Sequence, residues 1–168
     1  MADYKKLIPF ILKWEGGFVN DPLDKGGATN KGITISTFRQ VFGKSKTVDD
    51  LKHITDEQWN YIFKLYYWDR YKADSINNQS IANICVDWVW ASGIWGIKKV
   101  QQLLNTAADG IVGPKTINAI NNQHSEELFN KIKKARITFV ENIVKHNPSQ
   151  NRFLRGWLNR INDIQYES

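Results

Sequence analysis

The chain has 168 residues and 42% hydrophobic content, which suits one domain with a sizeable core. Its single cysteine, Cys85, lies in an apolar run and excludes an intramolecular disulfide, and three scattered histidines do not complete a zinc site. We therefore expect neither a metal nor another cofactor. The net charge of +6 favours an anionic partner, and no apolar run is long enough for membrane insertion.

Hydrophobic periodicity predicts helices along most of the chain, with one glycine-rich, β-prone hairpin near the N-terminus. The first helix is expected to end at Glu15, because Gly16 and Gly17 favour a helix end. Capping residues and glycine or proline stops predict later helices at residues 36–42, 55–71, 80–92, 97–104, 126–145 and 152–164. The predicted fold class is mainly α, with a small β-hairpin.

Glu15 is the first candidate catalytic residue, since it stands at a helix end between Trp14 and Phe18. A helix C-terminus disfavours negative charge, and adjacent aromatic rings limit access of water. Both favour the protonated carboxyl group that a general acid for glycoside cleavage needs. The alternative interpretation is a surface carboxylate that ends an ordinary helix.

Asp24 and Thr29 follow on the glycine-rich segment, in the pattern Glu-x8-Asp-x4-Thr. A hairpin folded back beside the helix end would bring them to Glu15. The arrangement resembles that of phage-type lysozymes, which carry Glu-x8-Asp-x5-Thr. Because the spacing differs by one residue, Asn30 stands at the phage-type position and is an alternative to Thr29.

The run from Glu15 to Thr34 resembles the signature of glycoside hydrolase family 108 more closely. The matching motifs are Glu-Gly-Gly-Phe, Asn-Asp-Pro, Asp-x-Gly-Gly-x-Thr and Lys-Gly-Ile-Thr. This family comprises lysozyme-like N-acetylmuramidases of phages, prophages and bacteria, some of them called secretion activator proteins. The resemblance implies a lysozyme-like helical globule with the hairpin beside the active-site cleft.

The same resemblance implies hydrolysis of the β-1,4 bond between N-acetylmuramic acid and N-acetylglucosamine in peptidoglycan. Glu15 would be the general acid, and Asp24 would orient water or stabilise the transition state. Thr29 would help to hold that water or the hairpin. For substrate binding we select Asn30 and two aromatic residues at a helix end, Tyr67 and Trp68, for which core packing is the alternative.

Asp87 stands on the most apolar predicted helix, so its carboxylate must be paired or hydrogen-bonded. We expect a structural role, with Asp87 bonding the active-site hairpin. Further along, the Asp-Gly-x-x-Gly-Pro-x-Thr turn that starts at Asp109 resembles the repeat of three-helix peptidoglycan-binding domains. A purely structural turn is the alternative. The predicted organisation is one globular unit, residues 1–168, with a catalytic part at 1–92 and a peptidoglycan-binding-like part at 93–168 packed on it.

Most of the net positive charge lies in the second half, where residues 91–168 carry eleven Lys and Arg against six Asp and Glu. We expect Lys131, Lys133 and Lys134 to face an anionic cell wall. No zinc finger, RNP pattern or basic arm is visible, so nucleic acid is not an expected partner. The expected partner is the glycan strand of peptidoglycan, bound by a monomer.

The first six residues alternate apolar with polar side chains and do not resemble a signal peptide. We expect synthesis in the cytoplasm, then action in the periplasm or cell wall after release by a holin-type pore or a secretion system, as for a phage or prophage endolysin. Two other functions stay open from sequence: a non-catalytic peptidoglycan-binding protein that acts in secretion, and a basic nucleic-acid-binding protein.

Overall fold

A computed structural model describes residues 1–23 and 26–167. The chain divides into two compact units, an N-terminal unit (Lys5–Tyr66) and a C-terminal unit (Met1–Tyr4 with Tyr67–Ser168). The N-terminal unit holds α1 (Ile8–Trp14), β1 (Thr29–Asn30), β2 (Ile33–Thr34), α2 (Ile35–Phe42), α3 (Val48–Lys52) and α4 (Asp56–Phe63). The C-terminal unit holds α5 (Gln79–Ser92), α6 (Trp95–Leu103), α7 (Pro114–Asn121), α8 (Ser125–His146) and α9 (Asn151–Asp163).

Helix α1 has a proline in its first turn, where the missing N–H costs nothing, and it buries Ile11. It ends where Glu15 adopts an extended backbone (φ −91°, ψ 142°), although the Glu15 N–H still donates to the carbonyl of Ile11 at 3.1 Å. The predicted first helix and its end at Glu15 are confirmed.

The hairpin formed by β1 and β2 is antiparallel, with Thr29 opposite Thr34 and Asn30 opposite Ile33. Its two-residue turn has positive φ at both positions, 49° at Lys31 and 81° at Gly32, as a type I′ turn requires. The indole N–H of Trp59 in α4 donates to the Lys31 carbonyl at 3.0 Å and holds the turn in place. The predicted small hairpin is confirmed.

Replacing Lys31 by asparagine should stabilise the protein, because asparagine tolerates the left-handed conformation better than lysine does. The Trp59 bond uses the backbone carbonyl and survives, and the Lys31–Asp56 pair (3.9 Å, largely exposed) contributes little. We expect a gain of about 0.5–1 kcal/mol in the free energy of unfolding, measured by urea titration. Lys44→Asn, at an exposed position with ordinary φ, is the control, and equal effects of the two changes would contradict the strain argument.

Helix α5 is the core helix of the C-terminal unit, as its apolar sequence predicts, and it packs against α6 and α8. The approach of α6 is close at Gly96, where a Cβ would lie 2.6 Å from the backbone nitrogen of Val89. The hydroxyl of Tyr71 donates to the Gly96 carbonyl at 3.2 Å. Cys85 is fully buried in α5, and burial raises the pKa of its thiol to about 12.

The helix predicted over residues 55–71 is only partly an α-helix. After α4 the chain continues as a π-helical segment (Lys64–Trp68) and a 3-10 turn (Asp69–Tyr71). The wider π turn changes the direction of the following side chains. Trp68, at the end of this segment, and Tyr71, in the 3-10 turn, are both fully buried.

Candidate active site

Glu15 lies at the C-terminal end of α1, and its side chain is partly exposed. The backbone that follows it borders open space, because a Cβ built on Gly16 or Gly17 would meet no heavy atom within 4 Å. The flanking rings of Trp14 and Phe18 are both half-buried. The chain that follows Glu15 is therefore open to solvent.

Thr29 connects this segment to the hairpin. Its N–H and C=O groups pair with those of Val19, each bond measuring 2.8 Å. Val19 is four residues beyond Glu15, a stretch that spans at most about 14 Å of chain. The half-buried Thr29 is thus tied by its backbone to the segment that leaves Glu15. Asp24, the other predicted catalytic residue, lies outside the described residues.

Asn30 does not have the predicted role in substrate binding. Its side chain is only 5% exposed, and its amide group donates to the carbonyls of Leu51 (3.0 Å) and Lys52 (3.1 Å) at the end of α3. Both bonds satisfy helix-terminal carbonyls that would otherwise have no partner within the helix. Asn30 therefore fixes the hairpin on α3.

Trp68 is also corrected. The side chain is 0% exposed, and its indole N–H donates to the carboxylate of Asp74 at 2.8 Å, so it presents no ring face to a ligand. Its neighbour Tyr67 is half-buried, with its ring centroid 4.6 Å from that of Trp90 in α5. Both aromatic residues belong to the C-terminal unit. The role of Tyr67 in substrate binding stays a prediction.

Asp87 has the structural role expected of it, but with other partners. It is fully buried in α5 and accepts hydrogen bonds from Arg136 of α8 (2.9 Å) and Arg160 of α9 (2.7 Å). The expected bond to the hairpin is therefore wrong. Burial lowers the pKa of the Arg136 guanidinium, and the neighbouring Asp87 carboxylate opposes that shift.

The turn that begins at Asp109 is held together from within. The Asp109 carboxylate accepts from the Ile111 N–H (3.0 Å) and from the buried side chain of Gln101 (3.1 Å). These hydrogen bonds lower the pKa of Asp109. The Gln101 amide also accepts from the Gly110 N–H and donates to Thr116. The polar groups of Asp109 and Gln101 thus hold the turn together.

Two negative observations apply to residues 1–23 and 26–167. No group of three or more His, Cys, Asp or Glu side chains is arranged to hold a metal ion there. Within the same ranges, the helices are all too short or too polar to cross a bilayer.

A mainly helical chain with a glutamate at the end of its first helix and a short hairpin after it has the architecture of lysozyme-like glycosidases. The chain belongs to the family Glycosyl hydrolase 108, whose model matches residues 8–93. A second model, Predicted Peptidoglycan domain, matches residues 95–162. Among solved structures, the chain is similar to SagA of Brucella abortus, with 26% identity and a TM-score of 0.81 over 96% of this chain and 90% of that chain. None of the curated proteins matches it.

These findings confirm the predicted family and the mainly α, lysozyme-like fold with a small hairpin. They support a glycoside hydrolase with peptidoglycan as its partner. The segments matched by the two family models adjoin near residue 94, whereas the boundary between the two compact units follows Tyr66. Helix α5 of the first match packs on α6 and α8 of the second, inside one unit. The division at residues 92 and 93 stays a prediction.

Proposed function

We propose that this protein is an N-acetylmuramidase that hydrolyses the β-1,4 bond between N-acetylmuramic acid and N-acetylglucosamine, with Glu15 as its general acid. The observation that carries the proposal is the position of Glu15. It is partly exposed at the end of α1, beside open space, and four residues before the pairing of Val19 with Thr29. This position lies inside the segment matched by the glycosyl hydrolase model.

In the proposed reaction, Glu15 gives its proton to the glycosidic oxygen as the bond to the anomeric carbon breaks. The positive charge that develops on the sugar ring needs a nearby anion or an attacking water molecule. Asp24 is our candidate for this group, as a base that orients water or as a stabilising carboxylate. Water adds its hydroxyl to the anomeric carbon and supplies the replacement proton. Thr29 contributes by fixing the hairpin or by holding the water.

We also propose that the reaction takes place in the periplasm or cell wall. Peptidoglycan lies outside the cytoplasmic membrane, so a protein made in the cytoplasm reaches it through a holin-type pore or a secretion system. A phage or prophage endolysin would act in this way.

Incubation with purified peptidoglycan tests the function. We expect new reducing ends, and borohydride reduction followed by acid hydrolysis should convert them to muramitol, because a muramidase leaves N-acetylmuramic acid at the reducing end. Glucosaminitol instead would overturn the assignment of the bond. Sedimentation with the wall and no new ends would indicate a non-catalytic peptidoglycan-binding protein acting in secretion. If the protein neither produces new reducing ends nor sediments with the wall, nucleic acid becomes the partner to test.

A further inference from the structure

A large groove lies between α6 and α8 in the C-terminal unit, with a volume of about 940 Å³. This volume is at the upper end of the range for small-molecule sites. Its apolar lining, here called its floor, includes Phe139 and Ile143, and Trp95, Lys99, Lys131 and Lys134 also line the groove. Every one of them lies in the segment matched by the peptidoglycan model, residues 95–162. No pattern in the sequence predicted this groove.

The charge of the groove has one sign. Lys99, Lys131 and Lys134 line it, and within the described part of the chain no carboxylate does so. Such an arrangement attracts anions into the groove and raises their local concentration. Because the floor is apolar, a small hydrated ion gains little there. A ligand that combines apolar surface with carboxylate groups matches both features.

Trp95 adds an exposed aromatic surface to the lining of this groove. Its side chain is 46% exposed, which is unusual for a residue of this size. The ammonium groups of Lys98 and Lys99 lie 5.4 Å and 5.8 Å from the ring centroid. Flat indole rings stack on the C–H faces of pyranose sugars. The ring and the two cations together suit a sugar that bears a negatively charged substituent.

Lys133 differs from the other two lysines that we expected to face the wall. Its ammonium group donates to the carbonyl of Ile164 at 2.8 Å and to that of Asn162 at 3.3 Å, after the end of α9. Partial burial lowers its pKa. Lys133 therefore stabilises the end of α9, whereas Lys131 and Lys134 line the groove, and the expectation that Lys133 faces the wall stays a prediction.

We propose that this groove binds the peptide-bearing glycan strand of peptidoglycan, away from the bond that is cut. A sugar ring lies on Trp95, and carboxylates of the stem peptide lie near Lys99, Lys131 and Lys134. Stem peptides carry free carboxylates at regular intervals along the glycan, which matches the charge of the lysines in the groove. The inference rests on the proposed function only in taking peptidoglycan as the ligand.

Binding can be measured without catalysis by sedimenting the Glu15→Gln protein with peptidoglycan from which teichoic acids and proteins have been removed. In that background, Trp95→Ala should weaken binding about tenfold, and so should the double change Lys131→Glu with Lys134→Glu. The matched control is Lys115→Glu with Lys145→Glu, two exposed lysines outside the groove. It alters the net charge equally and should change binding by less than about twofold.

A second arm tests the carboxylates directly. Peptidoglycan amidated with carbodiimide and ammonia should bind the unaltered groove more weakly, while the Lys131 and Lys134 double variant should no longer distinguish amidated from native wall. Circular dichroism checks the fold, and the lysine pair keeps the test decisive where Trp95→Ala fails to fold.

Equal losses in the groove variant and the control would overturn the proposal in favour of diffuse attraction. Unchanged wall binding with a changed elution volume would assign the groove to self-association instead. The control variant Lys115→Glu with Lys145→Glu, with Glu15 intact, should cleave short soluble glycans at the normal rate. Failure of that cleavage in the wild-type protein would contradict the muramidase function and leave the binding result standing, so the two failures are distinguishable.

Discussion

Glu15→Gln is expected to lower the rate of peptidoglycan cleavage by about 10²–10⁴-fold, the usual contribution of a general acid. The amide has nearly the shape of the carboxyl group but has no proton to transfer to the leaving oxygen. Helix α1 should persist, because the backbone N–H of Glu15, which donates to the Ile11 carbonyl, is unchanged by the substitution. Reducing-end formation gives the rate, and circular dichroism with thermal unfolding shows that the fold is retained.

Glu57→Gln is the matched control, since Glu57 is an exposed glutamate of α4 in the same unit. It should retain normal activity. An aryl glycoside of the same sugar offers a sharper comparison, because a phenolate leaves without protonation. Glu15→Gln should impair cleavage of the aryl glycoside far less than cleavage of the wall. Wild-type clearance of walls by the Glu15→Gln protein would eliminate Glu15 as the general acid.

The hairpin shows how far local sequence reasoning extends. Its glycines and β-branched residues predicted two short strands, and the structure has them. The sequence did not reveal that Lys31 occupies a left-handed position, because lysine has no preference for one. That conformation is imposed by tertiary contacts, including the bond from Trp59 to the Lys31 carbonyl. Helix α3 was missed for a related reason: at five residues, it is too short for periodicity to register.

The aromatic residues show where the sequence is ambiguous. Tyr67 and Trp68 are adjacent, and hydrophobicity treats core packing and ligand stacking alike. The π-helical segment turns Trp68 inward to Asp74, and this local geometry is not encoded in a simple period. Trp95 is the reverse case, because it was not among the residues predicted to bind substrate and yet its ring is exposed. It follows a glycine stop and precedes two lysines at helical spacing, a signal that marks an exposed ring beside cations.

The sequence around Asp87 correctly predicted that its carboxylate must be paired, but it did not predict which residues pair with it. A carboxylate on an apolar helix must be paired, yet its partners lie 49 and 73 positions away along the chain. One sequence signal was available, since Arg136 falls on the buried stripe of α8 with Phe129 and Ile132. A buried arginine requires a buried anion. The pairing could have been proposed from that stripe.

Asp87→Ala should destabilise the protein by about 3–5 kcal/mol, the loss typical of breaking a buried ion pair. The change leaves the Arg136 guanidinium, only 2% exposed, without its counter-ion, and Arg160 loses the same carboxylate. For a chain of this size the midpoint of thermal unfolding should fall by about 6–20 °C. Urea titration at an unchanged slope would give the free energy of unfolding directly. Asp49→Ala, at an exposed aspartate, should cost less than about 1 kcal/mol.

A further variant shows whether the loss of stability in Asp87→Ala comes from the broken ion pairs or from lost packing. Replacing all three charged residues with apolar ones, Asp87→Leu, Arg136→Met and Arg160→Met, should recover most of the stability, because apolar replacements of buried ion networks are often neutral or favourable. A triple variant as unstable as Asp87→Ala would instead attribute the loss to packing.

The number of unfolding transitions is equally informative. Asp87 lies in the segment matched by the glycosyl hydrolase model, and both arginines lie in the segment matched by the peptidoglycan model. If helix packing alone couples the two segments into one cooperative unit, Asp87→Ala will unfold in a single transition at lower denaturant, whereas two separate transitions would show that the ion cluster is needed to couple them.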